Sequence, residues 1–382
     1  MNILFLHSTS DLYGSARIFL EVIKIYNSSG LNPVVVISGE GPLADALREI
    51  NITVKIRNLG VLRRKYNSPL GLMNRLSKIL KSYFFLRSLH REYKFDLVYS
   101  NTLGVLVGAF WAKKNNLPHI WHIHEILENP EMLVRIISKL MDSSTPQPIT
   151  VSKSVEAFWQ QKLRIARPLT IHNGIPYTDF LVPYPKAKSE LHIPEDSLVI
   201  TMIGRINPGK GQLFFLELAK RLCISNPRLK FVMVGDAYPG YEAIGEQINE
   251  LITRHKLDDN IVDLGFRKDI PRVLAATDIF VMPSVLPDSL PTVILEAMAS
   301  GCPVVATRSG GASEMVIDNQ TGYLIPINDL EQGENALIKL ILNPRLRETF
   351  GEAGRKRALE HFSLESFKEN ITAHLWQQVR KS

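Results

Sequence analysis

Short apolar segments alternating with amphipathic helical segments, twice over, constrain the fold of this 382-residue chain most strongly. The segments predicted as strands in the first half are near-continuous apolar runs, which is typical of strands that are covered on both faces. These strands are Ile3–Leu6, Val34–Ile37, Val54–Ile56, Asp96–Tyr99, Ile120–Ile123 and Ile149–Val151. Helical segments such as Ser15–Tyr26 and Leu70–Arg91 fall between them, which predicts a parallel sheet wound on both sides.

A proline-rich stretch interrupts this alternation near the middle of the chain. Pro176, Pro183, Pro185 and Pro194 fall within 19 residues, after which the alternation restarts. The second set of predicted strands is Leu198–Ile203, Phe231–Val234, Ile261–Leu264, Ile279–Met282, Val304–Ala306 and Gly322–Ile325. The sequence therefore predicts two doubly wound, Rossmann-like α/β domains, residues 1–182 and 186–362, facing each other across a cleft. Ligands of such sheets bind outside the carboxyl ends of the strands.

Basic residues are concentrated in the first half of the chain. Residues 1–183 contain 22 Lys and Arg against 13 Asp and Glu, and the remainder contains 23 against 25. Residues 57–94 alone hold ten basic side chains, including Arg63, Arg64 and Lys65, and one acid. Either the helix in this segment docks on an anionic membrane surface, or its apolar side packs on the sheet and its charges are solvated. The segment contains no recognisable nucleic-acid-binding module, so we expect no nucleic acid partner.

Signals for export and for membrane insertion are missing from the sequence. No basic segment precedes the short apolar run at the N-terminus, and no run reaches about 18 apolar residues. Cys223 and Cys302 lie far apart and predict no disulfide framework. We therefore expect a cytoplasmic protein, either in solution or peripherally bound to the inner face of the cell membrane.

The segment Ile203-Gly-Arg-Ile-Asn-Pro-Gly-Lys-Gly211 follows a predicted strand and opens a helix. Arg205 and Lys210 can converge there on one anion, such as a diphosphate leaving group whose charge grows as its bond breaks. The alternative is a glycine-rich connection with solvated charges. No Asp-X-Asp triplet occurs in the chain, so the carboxylate pair that usually holds a divalent metal ion on a diphosphate is missing. We predict neither a metal ion nor a cofactor.

A proline-rich loop after the strand Ile279–Met282 leads into another helix. With Pro291 at the first helical position, the backbone N–H groups of Thr292 and Val293 are available to an anion. Glu296 then lies one turn further into the helix. It either accepts hydrogen bonds from ribose hydroxyl groups or balances the helix dipole on an exposed face.

Two sites in the first half also lie at the ends of predicted strands. Gly14 lies in the first strand-to-helix loop, where a glycine allows a ligand to approach the backbone closely. The loop lacks the further glycines of a dinucleotide fingerprint, which argues against a hydride-transfer enzyme. His122 and His124 share one face of a strand. They either bind a metal ion, for which a third ligand is missing, or line the core and the binding cleft.

Taken together and in this order, these segments resemble the retaining glycosyltransferases of family four, which have the two-domain GT-B architecture. Arg205 and Lys210 match the diphosphate-binding Arg and Lys of that family. His124 matches its histidine near the transferred sugar, and Gly14 lies where the family has a glycine-rich loop. Gly310-Gly311 and Glu314 are similar to the family's Gly-Gly-X-X-Glu turn.

The family also carries a Glu-X7-Glu motif in which, by resemblance, the second acid binds the donor ribose. That acid is Glu296 here, and the first position holds Asp288, whose side chain is shorter. Backbone groups of Ser289, Leu290 and Pro291 are expected to take part of the role of the first acid. Asp288 is therefore predicted as a catalytic residue together with His124, Arg205 and Lys210.

The resemblance implies transfer of a sugar from a nucleotide diphosphate sugar with retained anomeric configuration. The diphosphate itself helps to deprotonate the acceptor, which is a saccharide or lipid-linked saccharide of cell-surface polysaccharide or lipopolysaccharide-type biosynthesis. The C-terminal helix, Leu364–Arg380, is expected to pack back on the first domain.

Two alternative functions remain: a nucleotide-sugar epimerase or hydrolase of the same fold, and a non-catalytic nucleotide-sugar-binding protein.

Overall fold

The computed structural model describes residues 1–61 and 69–380, which form two compact units. The first unit comprises Met1–Ile175 together with the C-terminal segment that begins at Leu364. The second unit is Pro176–Ser363. The chain passes from the first unit to the second at the first proline of the proline-rich stretch.

A parallel sheet forms the centre of the first unit, with the strand order β3-β2-β1-β4-β5-β6-β7. Its strands are β1 (Asn2–His7), β2 (Asn32–Ile37), β3 (Thr53–Ile56), β4 (Leu97–Asn101), β5 (His119–Ile123), β6 (Ile149–Thr150) and β7 (Leu169–Thr170). The apolar runs predicted all of these strands except β7. That strand has only two residues, of which neither is fully buried, so no apolar run marks it.

Helices follow most of these strands and cover the sheet. They are α1 (Gly14–Ser28), α2 (Pro42–Glu49), α3 (Pro69–Tyr93), α4 (Leu106–Lys114), α5 (Glu131–Ser144) and α6 (Lys153–Gln160). The central strands are entirely buried, as the continuous apolar runs predict. Trp111, Trp121 and Trp159 are also fully buried in this unit.

The second unit repeats the same architecture with the strand order β10-β9-β8-β11-β12-β13. Its strands are β8 (Leu198–Ile203), β9 (Leu229–Val234), β10 (Ile261–Asp263), β11 (Ile279–Met282), β12 (Val304–Thr307) and β13 (Gly322–Ile325). Its helices are α7 (Ala187–Glu190), α8 (Gln212–Cys223), α9 (Glu242–Arg254), α10 (Ile270–Ala275), α11 (Thr292–Ala299), α12 (Ala312–Met315), α13 (Leu330–Leu342) and α14 (Pro344–His361). The prediction of two doubly wound parallel-sheet domains is confirmed.

The C-terminal helix α15 (Leu364–Arg380) belongs to the first unit and packs on α1 and β5. Phe367, Ile371 and Leu375 are buried along one stripe of α15. The hydroxyl group of Tyr26 on α1 donates a hydrogen bond of 3.1 Å to the carbonyl oxygen of Ile371. In residues 1–61 and 69–380, no helix combines the length and the apolar character needed to cross a membrane.

Candidate functional site

The strand order changes direction beside β8 in the second unit, because β8 lies between β9 and β11. Ligands of open α/β sheets bind at such a switch point, outside the carboxyl ends of the strands. The loop after β8 contains Arg205 and Lys210, and the loop after β11 contains Asp288. The fold therefore brings two of the sequence motifs together at one edge of the sheet.

Backbone contacts hold these two loops against each other. The N–H groups of Val285 and Leu286 both donate to the carbonyl oxygen of Gly209, at 2.9 and 3.3 Å. Gly211 has a φ of +81°, and a Cβ atom there would lie 2.0 Å from the carbonyl oxygen of Pro283. Only glycine fits this position, because any side chain clashes with the backbone of the other loop.

The Gly310-Gly311 turn after β12 supports the same loop from the other side. The N–H group of Gly311 donates to the carbonyl oxygen of Asp288 at 2.9 Å. A Cβ atom on Gly310 would lie 2.0 Å from that oxygen, and one on Gly311 would lie 2.4 Å from the carbonyl oxygen of Ser289. The two glycines thus allow the turn to fix the backbone of Asp288 and Ser289.

An ion pair between Lys210 and Asp288 joins the two loops through their side chains. The lysine side chain is 25% exposed and the aspartate side chain 22%, so both charges are reachable from solvent. The guanidinium group of Arg205 lies over the ring of Tyr238, with 5.3 Å between its carbon and the ring centre. The sequence predicts Lys210 as an anion-binding residue. In the structure its ammonium group pairs with the carboxylate of Asp288.

Helix α11 starts one residue later than the sequence predicts. Pro291 precedes the helix in an extended conformation, so the prediction that it occupies the first helical position is wrong. The physical reason is its ψ of 95°, which lies outside the helical region. Thr292 and Val293 are therefore the first two helical residues, and their N–H groups have no acceptor within the helix. Leu290 is buried just before this point.

Glu296 is only 2% exposed. The interpretation that it balances the helix dipole on an exposed face is therefore wrong, because α11 is buried on all sides from Ile294 to Ala299. Burial raises the pKa of the Tyr177 hydroxyl, and the nearby Glu296 carboxylate raises it further. Tyr177 itself donates to the carbonyl oxygen of Phe362 at 3.0 Å. A carboxylate buried this deeply requires polar partners, which a ligand can supply in part.

Three polar side chains meet at the carboxyl edge of the sheet in the first unit. Asn101, the last residue of β4, bonds His7 Nδ1 through Nδ2 at 2.9 Å and His124 Nε2 through Oδ1 at 2.9 Å. The Nδ2 atom also donates to the carbonyl oxygen of Ser15 at 3.2 Å, which fixes the orientation of the amide. The Nε2 atom of His124 therefore carries the proton, and its Nδ1 atom is an acceptor.

Burial keeps these histidines neutral. It lowers the pKa of His7 to about 4 and lowers the pKa of His124 well below its usual range, with His122 and His7 adding to the effect on His124. The rings of His122 and His124 are 4.3 Å apart, and His122 Nδ1 bonds the hydroxyl of Tyr99 at 2.8 Å. Across the described ranges no three His, Cys, Asp or Glu residues are arranged to hold a metal ion.

Sequence reasoning missed Asn101 and Glu125. Glu125 directly follows His124, and its Oε2 atom accepts hydrogen bonds from the N–H groups of Leu103 and His124, each at 3.1 Å. Burial raises the pKa of this carboxyl to about 7, although the two backbone hydrogen bonds lower it. The sequence signal that could have indicated Glu125 is an acid directly after a candidate site histidine.

Gly14 begins α1 with a φ of +30°, and a side chain there would meet open space.

An exposed apolar ridge runs along the first part of α3. Its members are between 56 and 80% exposed and recur at helical spacing: Leu70, Met73, Leu76, Leu80 and Phe84. Leu86 and Leu89, further along the helix, are buried in the core instead. The second part of α3 therefore packs on the core, as one of the two interpretations predicts, and docking of the exposed first part on a membrane stays a prediction. Arg63, Arg64 and Lys65 lie outside the described residues.

Two family models together match most of the chain. Residues 14–178 match the model described as Glycosyltransferase Family 4, and residues 184–357 match the model described as Glycosyl transferases group 1. Both matches agree with the resemblance inferred from the motifs.

Individual proteins resemble all or part of the chain. The UDP-Gal:alpha-D-GlcNAc-diphosphoundecaprenol alpha-1,3-galactosyltransferase of Escherichia coli is 27% identical over 356 residues, which covers 86% of this chain and 85% of that protein. A lipopolysaccharide 1,2-N-acetylglucosaminetransferase of Salmonella typhimurium is 28% identical over 213 residues, which covers 54% of this chain and 53% of that protein. The crystal structure of Anabaena Alr3699/HepE in complex with UDP-glucose matches with a TM-score of 0.86 and 25% identity, covering 99% of this chain and 100% of that one.

Proposed function

Because this chain is a family 4 glycosyltransferase of the GT-B fold, we propose that it transfers a hexose from a UDP-sugar to a diphosphate-linked lipid saccharide. The observation that carries the proposal is the meeting of the loops after β8 and β11, where Lys210 and Asp288 lie beside the N-terminus of α11. The alternatives of an epimerase or hydrolase and of a non-catalytic binding protein receive no support from the relatives.

The donor diphosphate binds to Arg205, Lys210 and the N-terminus of α11. Two fixed cations and the N–H groups of Thr292 and Val293 favour an anion at this edge of the sheet. Glu296 lies one turn further into α11 and accepts hydrogen bonds from the ribose hydroxyl groups. The UDP-glucose in Alr3699/HepE and the UDP-galactose in the name of the Escherichia coli relative support a UDP-sugar as donor.

Transfer proceeds with retention and without a metal ion. As the bond between the sugar and the diphosphate breaks, the leaving group gains negative charge that Arg205 and Lys210 stabilise. The acceptor oxygen forms the new bond on the same face, and its proton passes to a phosphate oxygen. His124 is neutral at pH 7 because its pKa is lowered, so its Nδ1 atom accepts a hydrogen bond from a hydroxyl of the donor sugar.

The acceptor is held near a membrane through α3. The exposed apolar ridge from Leu70 to Phe84 lies on the same helix as the exposed cations Lys81, Arg87 and Arg91. This combination suits a helix that lies in the head-group region of an anionic membrane face. The diphosphoundecaprenol in the name of the Escherichia coli relative denotes a lipid-linked acceptor and supports the same location.

A transfer assay with the full chain tests the proposal. UDP-galactose, UDP-glucose and UDP-N-acetylglucosamine are each incubated, in EDTA, with an alkyl diphosphate-linked N-acetylglucosamine in detergent micelles. We expect one donor to give an α-linked disaccharide product, and Lys210→Ala to lose it. Release of the sugar to water alone, with no disaccharide from any donor, would contradict the proposal and favour a hydrolase.

A further inference from the structure

The carboxylate of Glu125 is anchored between two strand ends in the first unit. Its Oε2 atom accepts from the N–H group of Leu103, in the loop after β4, and from that of His124, directly after β5. Its own carbonyl oxygen accepts from the indole N–H of Trp159 at 3.0 Å, and Trp159 is fully buried. Main chain and side chain of Glu125 are thus both fixed.

The second carboxylate oxygen of Glu125, Oε1, accepts neither of these two hydrogen bonds. The hydrogen bonds that Glu125 forms with the described part of the chain reach Oε2 and the backbone, and the side chain as a whole is only partly buried. Oε1 has no hydrogen-bond partner in the described part of the chain. It is not one of the side-chain atoms that are both unpartnered and fully buried, so it reaches the surface. The chain therefore presents one rigidly held carboxylate oxygen to solvent, next to the candidate sugar-binding histidine.

We propose that Glu125 orients the acceptor, with Oε1 accepting a hydrogen bond from the hydroxyl group that attacks the donor sugar. The inference rests on the proposed function, in which that hydroxyl gives up its proton to a phosphate oxygen of the leaving diphosphate. The carbon–oxygen bond to the acceptor forms while the bond from the sugar carbon to the phosphate oxygen breaks. Glu125 takes no proton in this step but fixes the direction of the oxygen lone pair, which lowers the entropy cost of the reaction.

An ionised carboxylate suits this task, since a protonated one donates a hydrogen bond through its O–H group. The ionisable side chains on the elements that contact Glu125, and directly beside them, are His119 and His122 on β5, His124 after β5, and Lys153 and Glu156 on α6. Burial lowers the pKa of all three histidines, so they are neutral at pH 7, and Glu156 accepts from the N–H and hydroxyl groups of Thr170. The pKa of Glu125, about 7, then sets the pH at which the acceptor-orienting form appears.

Hydrolysis of UDP-glucose and UDP-galactose tests this role, because water takes the place of the acceptor hydroxyl and no lipid is needed. Glu125→Gln keeps an oxygen for the two N–H groups but replaces the outward oxygen with an amide NH2 group. We expect hydrolysis to fall by about 10- to 100-fold, the value of a hydrogen bond to a charged group, with the Kd for the donor unchanged. Glu128→Gln, an exposed acid three residues away, is the matched control and should hydrolyse at the original rate.

The pH profile separates an acceptor-orienting role from a purely structural one. Hydrolysis by the unsubstituted chain should rise with pH through about 7 as the Glu125 carboxylate forms, whereas the profile of Glu125→Gln should lack this step. Unchanged hydrolysis in Glu125→Gln, or a parallel loss of donor binding, would overturn the inference. Failure of the proposed function has a different signature: the unsubstituted chain then binds neither UDP-hexose, or it releases the sugar to water and gives no disaccharide in the transfer assay.

Discussion

The ammonium group of Lys210 and the carboxylate of Asp288 form an ion pair between loops that are 78 residues apart in sequence. If Lys210 also binds the donor diphosphate, Asp288 competes with the ligand for the same cation. Asp288 then weakens nucleotide binding and promotes release of the UDP product. Product release limits turnover in many enzymes that close around their substrates.

Asp288→Asn should therefore bind UDP more tightly, because the amide keeps the shape of the side chain but removes the competing charge. We expect a Kd about 5-fold lower, which corresponds to an ion pair worth about 1 kcal/mol at a partly exposed site. Isothermal titration calorimetry with UDP measures this. Asp318→Asn, which removes the partner of Arg308 elsewhere in the second unit, is the control. Weaker UDP binding by Asp288→Asn would show that the carboxylate assists the nucleotide instead.

Glu296→Gln should weaken binding of UDP-sugars by at least about 10-fold, because a charged acceptor for the ribose hydroxyl groups is replaced by a neutral one. The Kd for UDP-glucose, measured by calorimetry, tests this. Glu331→Gln, an exposed acid in the first turn of α13, is the matched control. Equal affinities of both variants would mean that Glu296 has a structural role only.

Replacing Leu76 and Leu80 together by Ser should weaken membrane binding through α3. Both side chains are more than half exposed, so the change removes apolar surface without disturbing the core. Losing two leucines from the membrane interface should cost about 10-fold or more in partitioning. Co-sedimentation with vesicles that contain the anionic lipid phosphatidylglycerol measures the loss. Ile224→Ser, which changes an even more exposed apolar side chain in the second unit, should leave partitioning unchanged. Binding that is independent of anionic lipid would contradict the docking hypothesis.

Glu125→Gln should stabilise the protein in a pH-dependent manner. The pKa of Glu125 is raised to about 7 in the folded state, so its ionisation destabilises that state increasingly as pH rises from about 4.5 to 7. Above pH 7 the penalty is constant, and below about pH 4 it is absent. We expect a gain in the free energy of unfolding on the order of 2 kcal/mol at pH 8 and almost none at pH 4. Urea denaturation of both proteins at the two pH values measures it, and an equal effect at both would contradict the assigned pKa.

The fold was accessible from sequence because strands buried on both faces require continuous apolar runs. The exception, β7, has two residues at the edge of the sheet and leaves no such signal. Pro291 shows a second limit. Proline suits the first helical position and also the extended residue before it, and only the backbone torsion angles distinguish the two.

The candidate site was only partly accessible from sequence. Motif order pointed to Arg205, Lys210 and Glu296, but the sequence gives no measure of how deeply α11 is buried, and an exposed Glu296 was a reasonable alternative. Contacts between distant residues were inaccessible altogether. Asn101 bonds His7 and His124 across three strands, and Glu125 bonds Leu103 across two strand ends. Such pairings depend on strand order and register, which follow from the assembled sheet.

Calorimetric titration of UDP-glucose and UDP-galactose into the full chain and into Lys210→Ala, in EDTA, tests the donor site most directly. We predict that at least one UDP-hexose binds the unsubstituted protein without a metal ion, and that Lys210→Ala binds it at least about 10-fold more weakly, as expected for loss of a charge-assisted contact. Equal binding by the two proteins, or no binding by the unsubstituted chain, would contradict the assignment of the donor diphosphate to the loops after β8 and β11.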